Sequence, residues 1–275
     1  METTTTIQIL KSTIGNPITR KLLSGFDFCE KCGKNRVEVA LELYAGARKN
    51  ACLKCKFAEK TISGVLKTGG KAFGVEPNLL KNRFNGPWWR KGLTNVLTGI
   101  ARFGIQRPFI TGAPFLVVWD ITYACNLKCK HCYANAGKTL KDEMTTDEAM
   151  QAIDKLDRAS VPAIAFSGGE PLVRKDIFEL TSYAQDKGIY VGMATNGTMI
   201  SEQKAREMKE SGVQFVQISL DGSSAETHDS FRGIKGVYDK TIEGIKNCVK
   251  EDFFVNIATT GTKYNYNEIP KIVDL

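Results

Sequence analysis

The sequence predicts an α/β chain: a run of about five parallel βα units, preceded by a smaller cysteine-bearing module. Three observations carry this expectation. Apolar, strand-like runs recur at Phe115–Thr122, Ala163–Ser167, Ile189–Thr195, Val213–Leu220 and Phe254–Thr260, and their near-continuous apolar character is that of strands covered on both faces. Helix-like stretches separate the later runs, at about 146–158, 175–187, 201–211 and 236–250. Such alternation is the pattern of a parallel barrel or an open α/β sheet. Upstream, two C-x-x-C pairs stand apart from that pattern.

The bulk numbers agree. A chain of 275 residues can bury one sizeable core and a small appended module. With 25% charged and 42% hydrophobic residues it is not a disordered sequence. Of eight cysteines, seven fall into three tight clusters, Cys29/Cys32, Cys52/Cys55 and Cys125/Cys129/Cys132, with only Cys248 apart. That clustering speaks for metal binding in a reducing compartment, not for a disulfide framework. The threonine-rich start, Met1 to Leu10, has no apolar signal-peptide core. No stretch reaches the roughly 20 apolar residues of a membrane span. The expected location is cytoplasmic, with peripheral membrane contact left open. Charge is uneven: residues 1–124 hold 19 Lys and Arg against 8 Asp and Glu, and residues 125–275 hold 19 against 22. The basic first half suits an anionic partner, whether a phospholipid surface, a phosphorylated substrate or a nucleic acid.

Cys29-Glu-Lys-Cys32-Gly33 and Cys52-Leu-Lys-Cys55 each offer two sulfurs, the pattern of a four-sulfur tetrahedral site. Zinc ribbons and rubredoxin-like iron sites share it, so the module is expected to hold zinc or a mononuclear iron. Four protein ligands leave no room for substrate. Val37 to Tyr44 alternates as a strand or a short helix, and Ile62–Leu66 and Pro77–Phe84 look helical about a break at Gly69-Gly70. From Gly86 onward, Leu93, Val96, Leu97, Ile100 and Phe103 space as one helix face. Trp88, Trp89, Arg90, Lys91 and Arg102 around it fit either a helix on a membrane surface or ordinary packing. The expected division is residues 1–75 for the four-cysteine module, 76–112 for an amphipathic basic linker and 113–275 for the βα units.

The centre of the chain is Cys125-Asn-Leu-Lys-Cys129-Lys-His-Cys132-Tyr133, a C-x3-C-x2-C loop directly after the first strand. Three thiolates in one loop can face a single iron–sulfur cluster and leave one iron free for another ligand. A zinc knuckle completed by His131 is disfavoured, because His131 lies inside a very tight loop. Every later strand also ends in a polar or glycine-bearing motif: Ser167-Gly-Gly-Glu-Pro171, Thr195-Asn-Gly197, Ser219-Leu-Asp-Gly222 followed by His228 to Gly233, and Thr259 to Thr262. In parallel barrels chemistry sits at that rim.

Over residues 113–275 these motifs resemble the radical S-adenosylmethionine (SAM) superfamily. The resemblance implies a TIM-like (β/α)6 barrel, here incomplete, since the chain reaches Leu275 inside the helix after the fifth strand and is expected to be a fragment. It implies that Cys125, Cys129 and Cys132 ligate a [4Fe–4S] cluster whose open iron is chelated by SAM. Gly168, Gly169, Glu170 and Pro171 match the stretch that holds the methionine amine, with Glu170 nearest, and Tyr133 matches the aromatic beside the adenine. Asn196, Ser219 and Arg232 match cofactor-contacting positions of related subfamilies. The implied chemistry is reductive cleavage of SAM to a 5′-deoxyadenosyl radical that abstracts hydrogen, fed by a reduced donor such as ferredoxin or flavodoxin. Lys128 and Lys130 beside the cluster either raise its potential or are ordinary solvated surface lysines. His228 reads as a structural cap, and Cys248 as a buried free thiol.

With its N-terminal knuckle and basic Trp-bearing linker, the chain also resembles a narrower group, the archaeal tetraether lipid synthases, relatives of which are described as pterin-methylating. That implies carbon–carbon coupling of isoprenoid tails at a membrane lipid surface. A methylating or peptide-modifying radical enzyme is the enzymatic alternative. The alternative of another class is a non-enzymatic metal module binding nucleic acid, although no nucleic-acid-reading motif is present and no nucleic-acid partner is expected.

Overall fold

Strand order decides between the two expected sheets. In this computed structural model, which describes residues 12, 14–72 and 75–275, five strands lie in sequential order: β3 (Leu116–Thr122), β4 (Ala163–Gly168), β5 (Tyr190–Thr195), β6 (Val213–Ser219) and β7 (Phe254–Ala258). β4 to β7 pair in parallel, with Ile164 opposite Val191 and Ile218 opposite Ile257. A doubly wound sheet reverses its order at a switch point. This one does not, and it has the order of a barrel wall. The threonine-rich Met1–Leu10 lies outside the described residues.

The chain divides into two units. The second comprises Val117–Ile153 and Ala163–Leu275. Its connecting helices are α6 (Thr146–Arg158, of which the part from Asp154 on belongs to the first unit), α7 (Ile177–Asp186), α8 (Glu202–Glu210), α9 (Ala225–Arg232), α10 (Val237–Lys250) and α11 (Ile269–Val273). The start of α6 is a capping box: Glu148 N–H donates to the Thr145 hydroxyl at 3.3 Å, and Thr145 N–H returns to the Glu148 carboxylate at 2.9 Å. The alternating residues Ile164/Phe166, Val191/Met193 and Val216/Ile218 are fully buried, as are Leu180 and Ala184 of α7 and Ala205 and Met208 of α8. Each large aliphatic among them contributes about 1.5–3 kcal/mol by leaving water. The strand residues between these alternating ones are half-buried on β4 and, save Gly192, on β5, and run from half-buried to exposed Gln214 on β6, so the expected covering of both faces holds only in part. On β3 and β7 it fails outright, since Val118 and Phe254 are exposed. Helix α9 lies in a stretch where the sequence pattern predicts no helix. It is eight residues long and polar, with Ser224 as N-cap and Gly233 in the left-handed conformation at its end, so no apolar stripe announces it.

The first unit comprises residues 1–116 and Asp154–Pro162. A two-residue hairpin, β1 (Phe28–Cys29) and β2 (Lys34–Asn35), is surrounded by α1 (Pro17–Ser24), α2 (Arg36–Ala45), α3 (Leu53–Ala72), α4 (Pro77–Arg83) and α5 (Pro87–Phe103). Val37–Tyr44 is therefore helix, started by the Asn35 side chain accepting from Val37 N–H at 2.8 Å. Helix α3 runs through Gly69-Gly70 to Ala72, so the break expected there is absent. Two glycines near a helix end cost about 1 kcal/mol each, which a long packed helix tolerates. Leu41, Tyr44, Ile62, Phe84, Leu97 and Ile100 form the core.

Helix α5 packs in the ordinary way. Leu97 and Ile100 enter the core, and Arg90 and Lys91 are buried, not displayed. Lys91 pairs with Glu38 at 3.7 Å and with Asp157, while Arg90 donates to the Phe84 carbonyl at 2.6 Å and faces Glu42 at 3.8 Å. Two cations expected beside lipid headgroups are consumed inside the protein. No helix among the described residues is long and apolar enough to cross a membrane.

Candidate functional site

The loop that follows β3 is closed on itself before it is closed on anything else. Gly137 N–H donates to the Tyr123 carbonyl at 2.8 Å, and Cys125 N–H donates to the Gly137 carbonyl at 3.2 Å. Glu143 staples the two ends: one carboxylate oxygen accepts from Tyr123 N–H (2.7 Å) and Leu140 N–H (3.0 Å), the other from the Thr122 hydroxyl (2.9 Å). Burial works against ionisation there, yet these donors hold the Glu143 carboxyl below the usual carboxylate range.

Inside the loop, Leu127 is the buried anchor. Lys128 N–H and Lys130 N–H donate to the carbonyls of Arg232 and Phe231 at 3.1 and 3.0 Å, stitching the loop to the end of α9. His131 stacks on Phe231 with ring centroids 4.4 Å apart. The sulfurs are already served by donors: Leu127 N–H to Cys125 (3.4 Å), Ala136 N–H to Cys132 (3.3 Å) and the Arg232 guanidinium to Cys129 (3.6 Å). Donors to sulfur are among the levers that set an iron–sulfur potential. Lys128 and Lys130 are exposed, and the Lys130 ammonium donates to the Ser230 hydroxyl at 3.0 Å.

The end of β4 fits against the base of this loop only because it carries two glycines. Gly168 has a positive φ of 121°. A Cβ there would stand 2.3 Å from the Thr122 carbonyl oxygen, and one on Gly169 would stand 2.3 Å from that of Ala124. The bare backbone instead makes Gly169 N–H to Thr122 O (2.8 Å) and Glu170 N–H to Ala124 O (2.9 Å). Glu170 is fully buried. Its carboxylate accepts the Thr195 hydroxyl at 2.7 Å, Asn196 N–H at 2.8 Å and Leu172 N–H at 3.1 Å. Burial pushes its carboxyl above the usual range. The network continues outward, from the Asn196 amide to Asn126 (2.8 Å) and from Asn126 to the Thr198 hydroxyl (2.9 Å).

These elements enclose a cavity of about 220 Å³. Cys125, Cys129, Cys132, Tyr133, Gly168, Gly169, Asn196, Ser219 and Arg232 all line it. Glu170 and Pro171 do not: the carboxylate expected at a ligand's amine stands behind the wall and holds the tips of β4 and β5 together. Tyr133 is 78% exposed, with its hydroxyl 3.4 Å from Asp120. Arg232 is held by Asp221 at 2.5 Å. The Nε of Arg232 and Nδ1 of His131 are buried without a hydrogen-bond partner. His228 is a strut, its Nδ1 accepting from Asp221 N–H at 3.2 Å, and burial holds it down at about 4, neutral near pH 7. Cys248 is fully buried, its thiol pushed up to about 12.

The residues present suit an iron–sulfur cluster with a nucleotide-like ligand. Three thiols with N–H donors, a side-chain-free glycine wall, and an arginine with a spare buried donor all face one space. Glu143, Asn126 and Asp221 are supports that sequence reading missed as functional. Asn126 and Asp221 stood inside noted motifs, but nothing local marked Glu143.

The family model of the radical SAM superfamily matches residues 119–275. This chain belongs to the radical SAM superfamily. Members use a [4Fe–4S] cluster and SAM, and they are enzymes. The chain is 42% identical over 167 residues to an AdoMet-dependent heme synthase of Methanosarcina barkeri, covering 60% of this chain and 48% of that protein. It is 45% identical to the Fe-coproporphyrin III synthase of the same organism, covering 58% and 40%. To the mycofactocin maturase MftC of Mycolicibacterium smegmatis it is 37% identical, covering 59% and 42%. The chain thus spans less than half the length of these curated relatives. Among solved structures, anSMEcpe with bound AdoMet superposes at a TM-score of 0.50 with 25% identity, covering 58% of this chain and 47% of that one. Streptococcus suis SuiB bound to S-adenosylmethionine shares the fold at a TM-score of 0.59 and 17% identity, covering 88% and 56%.

The other cysteines form a second group in the first unit. The sulfurs of Cys29, Cys32, Cys52 and Cys55 all lie within 4.8 Å of one another, and among the described residues this is the one set of three or more His, Cys, Asp or Glu ligand atoms drawn so close. The sulfurs of Cys125, Cys129 and Cys132 are not gathered that tightly, as a single ion would require.

Proposed function

We propose that this chain is the SAM-cleaving part of a radical enzyme, with Cys125, Cys129 and Cys132 holding the [4Fe–4S] cluster and SAM entering the adjoining cavity. The observation that carries this is the convergence of all three cysteines with Gly168, Gly169, Asn196, Ser219 and Arg232 on one cavity wall. When bound, the cluster and SAM supply a carbon-centred radical for hydrogen abstraction, with the electron coming from a reduced carrier protein such as ferredoxin or flavodoxin.

The chain's own contribution is placement and shielding. Gly168 and Gly169 let the end of β4 seat against the Thr122 and Ala124 carbonyls beneath the cysteine loop, which a Cβ on either would strike at 2.3 Å. Arg232, fixed by Asp221, presents a guanidinium suited to a carboxylate. Tyr133 offers an aromatic face at the mouth, and Leu127 and the His131–Phe231 stack close the loop against water.

For the substrate we infer a tetrapyrrole, because the relatives at 42% and 45% identity are named for heme and Fe-coproporphyrin synthesis. A peptide is the second reading, favoured by the maturase at 37%. The tetraether-lipid expectation gains no support from these relatives, and burial of Arg90 and Lys91 removes two of the cations it relied on.

The test is electron paramagnetic resonance of the anaerobically reconstituted, dithionite-reduced chain with and without SAM, followed by 5′-deoxyadenosine assay with Fe-coproporphyrin III, a peptide and an isoprenoid diether lipid in parallel. A cluster signal that changes on SAM addition, and is lost in the Cys125→Ala/Cys129→Ala/Cys132→Ala variant, supports the site. A cluster retained by that variant overturns it. The substrate that raises 5′-deoxyadenosine above background decides among the three classes.

A further inference from the structure

The four-cysteine group of the first unit is not needed for SAM chemistry and has its own architecture. Its first pair sits on the β1–β2 hairpin, where Cys32 and Gly33 N–H both donate to the Cys29 carbonyl, at 3.0 and 2.8 Å, and Gly33 takes the positive φ of 73° that this turn demands. Its second pair is built differently. Cys52 immediately precedes α3 and Cys55 lies in the first helical turn. Cys52 N–H donates to the Cys32 sulfur at 3.5 Å, and the sulfurs of Cys29 and Cys52 stand 3.6 Å apart. A metal–sulfur bond of about 2.3 Å implies a tetrahedral edge of about 3.8 Å. The spacing fits tetrahedral coordination of one ion by all four sulfurs.

The surroundings say what the ion does. Cys29 and Cys55 are buried with Val39, and Leu43 and Ala51 pack on the same knot, so the sulfurs occupy the place of an apolar core between the hairpin, α2 and α3. Arg48 donates to the Cys32 carbonyl at 3.3 Å and is itself held by Glu42 at 2.6 Å, tying the knuckle to α2.

We propose that Cys29, Cys32, Cys52 and Cys55 form a closed, structural zinc site that fastens the hairpin to α2 and α3. Binding replaces the thiol protons: four Cys–SH groups and one Zn²⁺ give a tetrathiolate of charge −2 and release four protons, with no change of oxidation state. Four sulfurs close the shell of either ion. Zinc is assigned because the sulfurs stand in for an apolar core between the hairpin, α2 and α3, a cohesive role that calls for no change of oxidation state.

The experiment is elemental analysis of the full 275-residue chain beside two variants, Cys125→Ala/Cys129→Ala/Cys132→Ala and Cys29→Ser/Cys55→Ser, with thermal unfolding of each. The expected result is about one zinc per chain in the parent, retained when the cluster loop is ablated and lost from Cys29→Ser/Cys55→Ser, whose unfolding begins at lower temperature. Zinc retained by Cys29→Ser/Cys55→Ser, zinc lost with the cluster loop, or one iron at this site with thiolate-to-iron charge-transfer absorption would each overturn the proposal. Because the cluster-loop variant keeps the first unit intact, the outcome does not depend on the SAM reading.

Discussion

The carboxylate of Glu170 accepts the backbone N–H of Asn196 at 2.8 Å, which ties the turn after β4 to the turn after β5 beneath the cavity. Glu170→Ala leaves that N–H, the Leu172 N–H and the Thr195 hydroxyl without an acceptor. At about 1–3 kcal/mol for each buried group left unpaired, the loss should reach about 3 kcal/mol or more. It should appear as a lowered midpoint in denaturant with weakened SAM binding by calorimetry. Because burial raises the native pKa of Glu170, its favourable contribution is complete below the unfolded carboxylate value of about 4.3 and is lost as pH rises through the native one. Stability of the parent relative to Glu170→Gln should therefore decline with rising pH across that window, and an identical pH dependence of the two proteins would refute this.

Gly168→Ala and Gly169→Ala should each push the cysteine loop off its seat, since the added methyl meets a carbonyl oxygen at 2.3 Å. Overpacking of this kind costs about 1–3 kcal/mol, and the displaced backbone faces the cavity. The control lies in the same loop: a Cβ on Gly137 meets nothing within 4 Å. Gly137→Ala should keep cluster content and SAM affinity near the parent's while both glycine-wall variants lose them, as read by iron analysis and ligand titration.

What was legible in the sequence follows from distance along the chain. The cysteine loop, the glycine pair and the strands β4 to β6 announce themselves through spacing or apolar runs a few residues long. Glu143 finds Thr122 and Tyr123 some 20 residues away, and Lys91 finds its partners at Glu38 and Asp157. No local pattern marks such pairings, so a buried lysine looked like a surface one. Glu170 was recognised as part of a motif, but whether its carboxylate faces ligand or strand depends on where Thr195 and Asn196 arrive.

Lys91 supplies the next expectation. It is fully buried between Glu38 and Asp157, and removing one partner of a buried ion pair costs about 3–5 kcal/mol because the remaining charge is stranded. Lys91→Met should destabilise by that order in chemical denaturation. Exposed Lys54→Met, on α3 of the same unit, should change little. Equal and small effects from both would show that Lys91 is hydrated after all.

Glu143 gives the chain an acid-sensitive clasp. Its native pKa is lowered by the N–H groups of Tyr123 and Leu140 and the Thr122 hydroxyl, against the opposing effect of burial. A lowered native value means stability present above the unfolded pKa of about 4.3 and lost as pH falls through the native one. Melting temperature should drop between about pH 5 and pH 3 more steeply in the parent than in Glu143→Gln. Parallel curves for the two proteins would rule out Glu143 as the clasp.

Arg232 joins two tasks that one substitution can separate. It is paired with Asp221 at 2.5 Å and donates to the Cys129 sulfur at 3.6 Å. A donor on a ligand sulfur stabilises the reduced, more negative cluster, so its removal should move the midpoint potential downward. Arg232→Met should make the cluster harder to reduce and leave Asp221 as a buried carboxylate without a counter-charge, held only by the Thr260 N–H at 2.8 Å. Arg232→Met/Asp221→Asn should recover the lost stability, because the stranded charge is gone, yet keep the lowered potential, because the sulfur still lacks its donor. Redox titration and thermal unfolding of the two variants check both halves, and a potential that returns with stability would mean Arg232 acts on the cluster only by holding the loop in place.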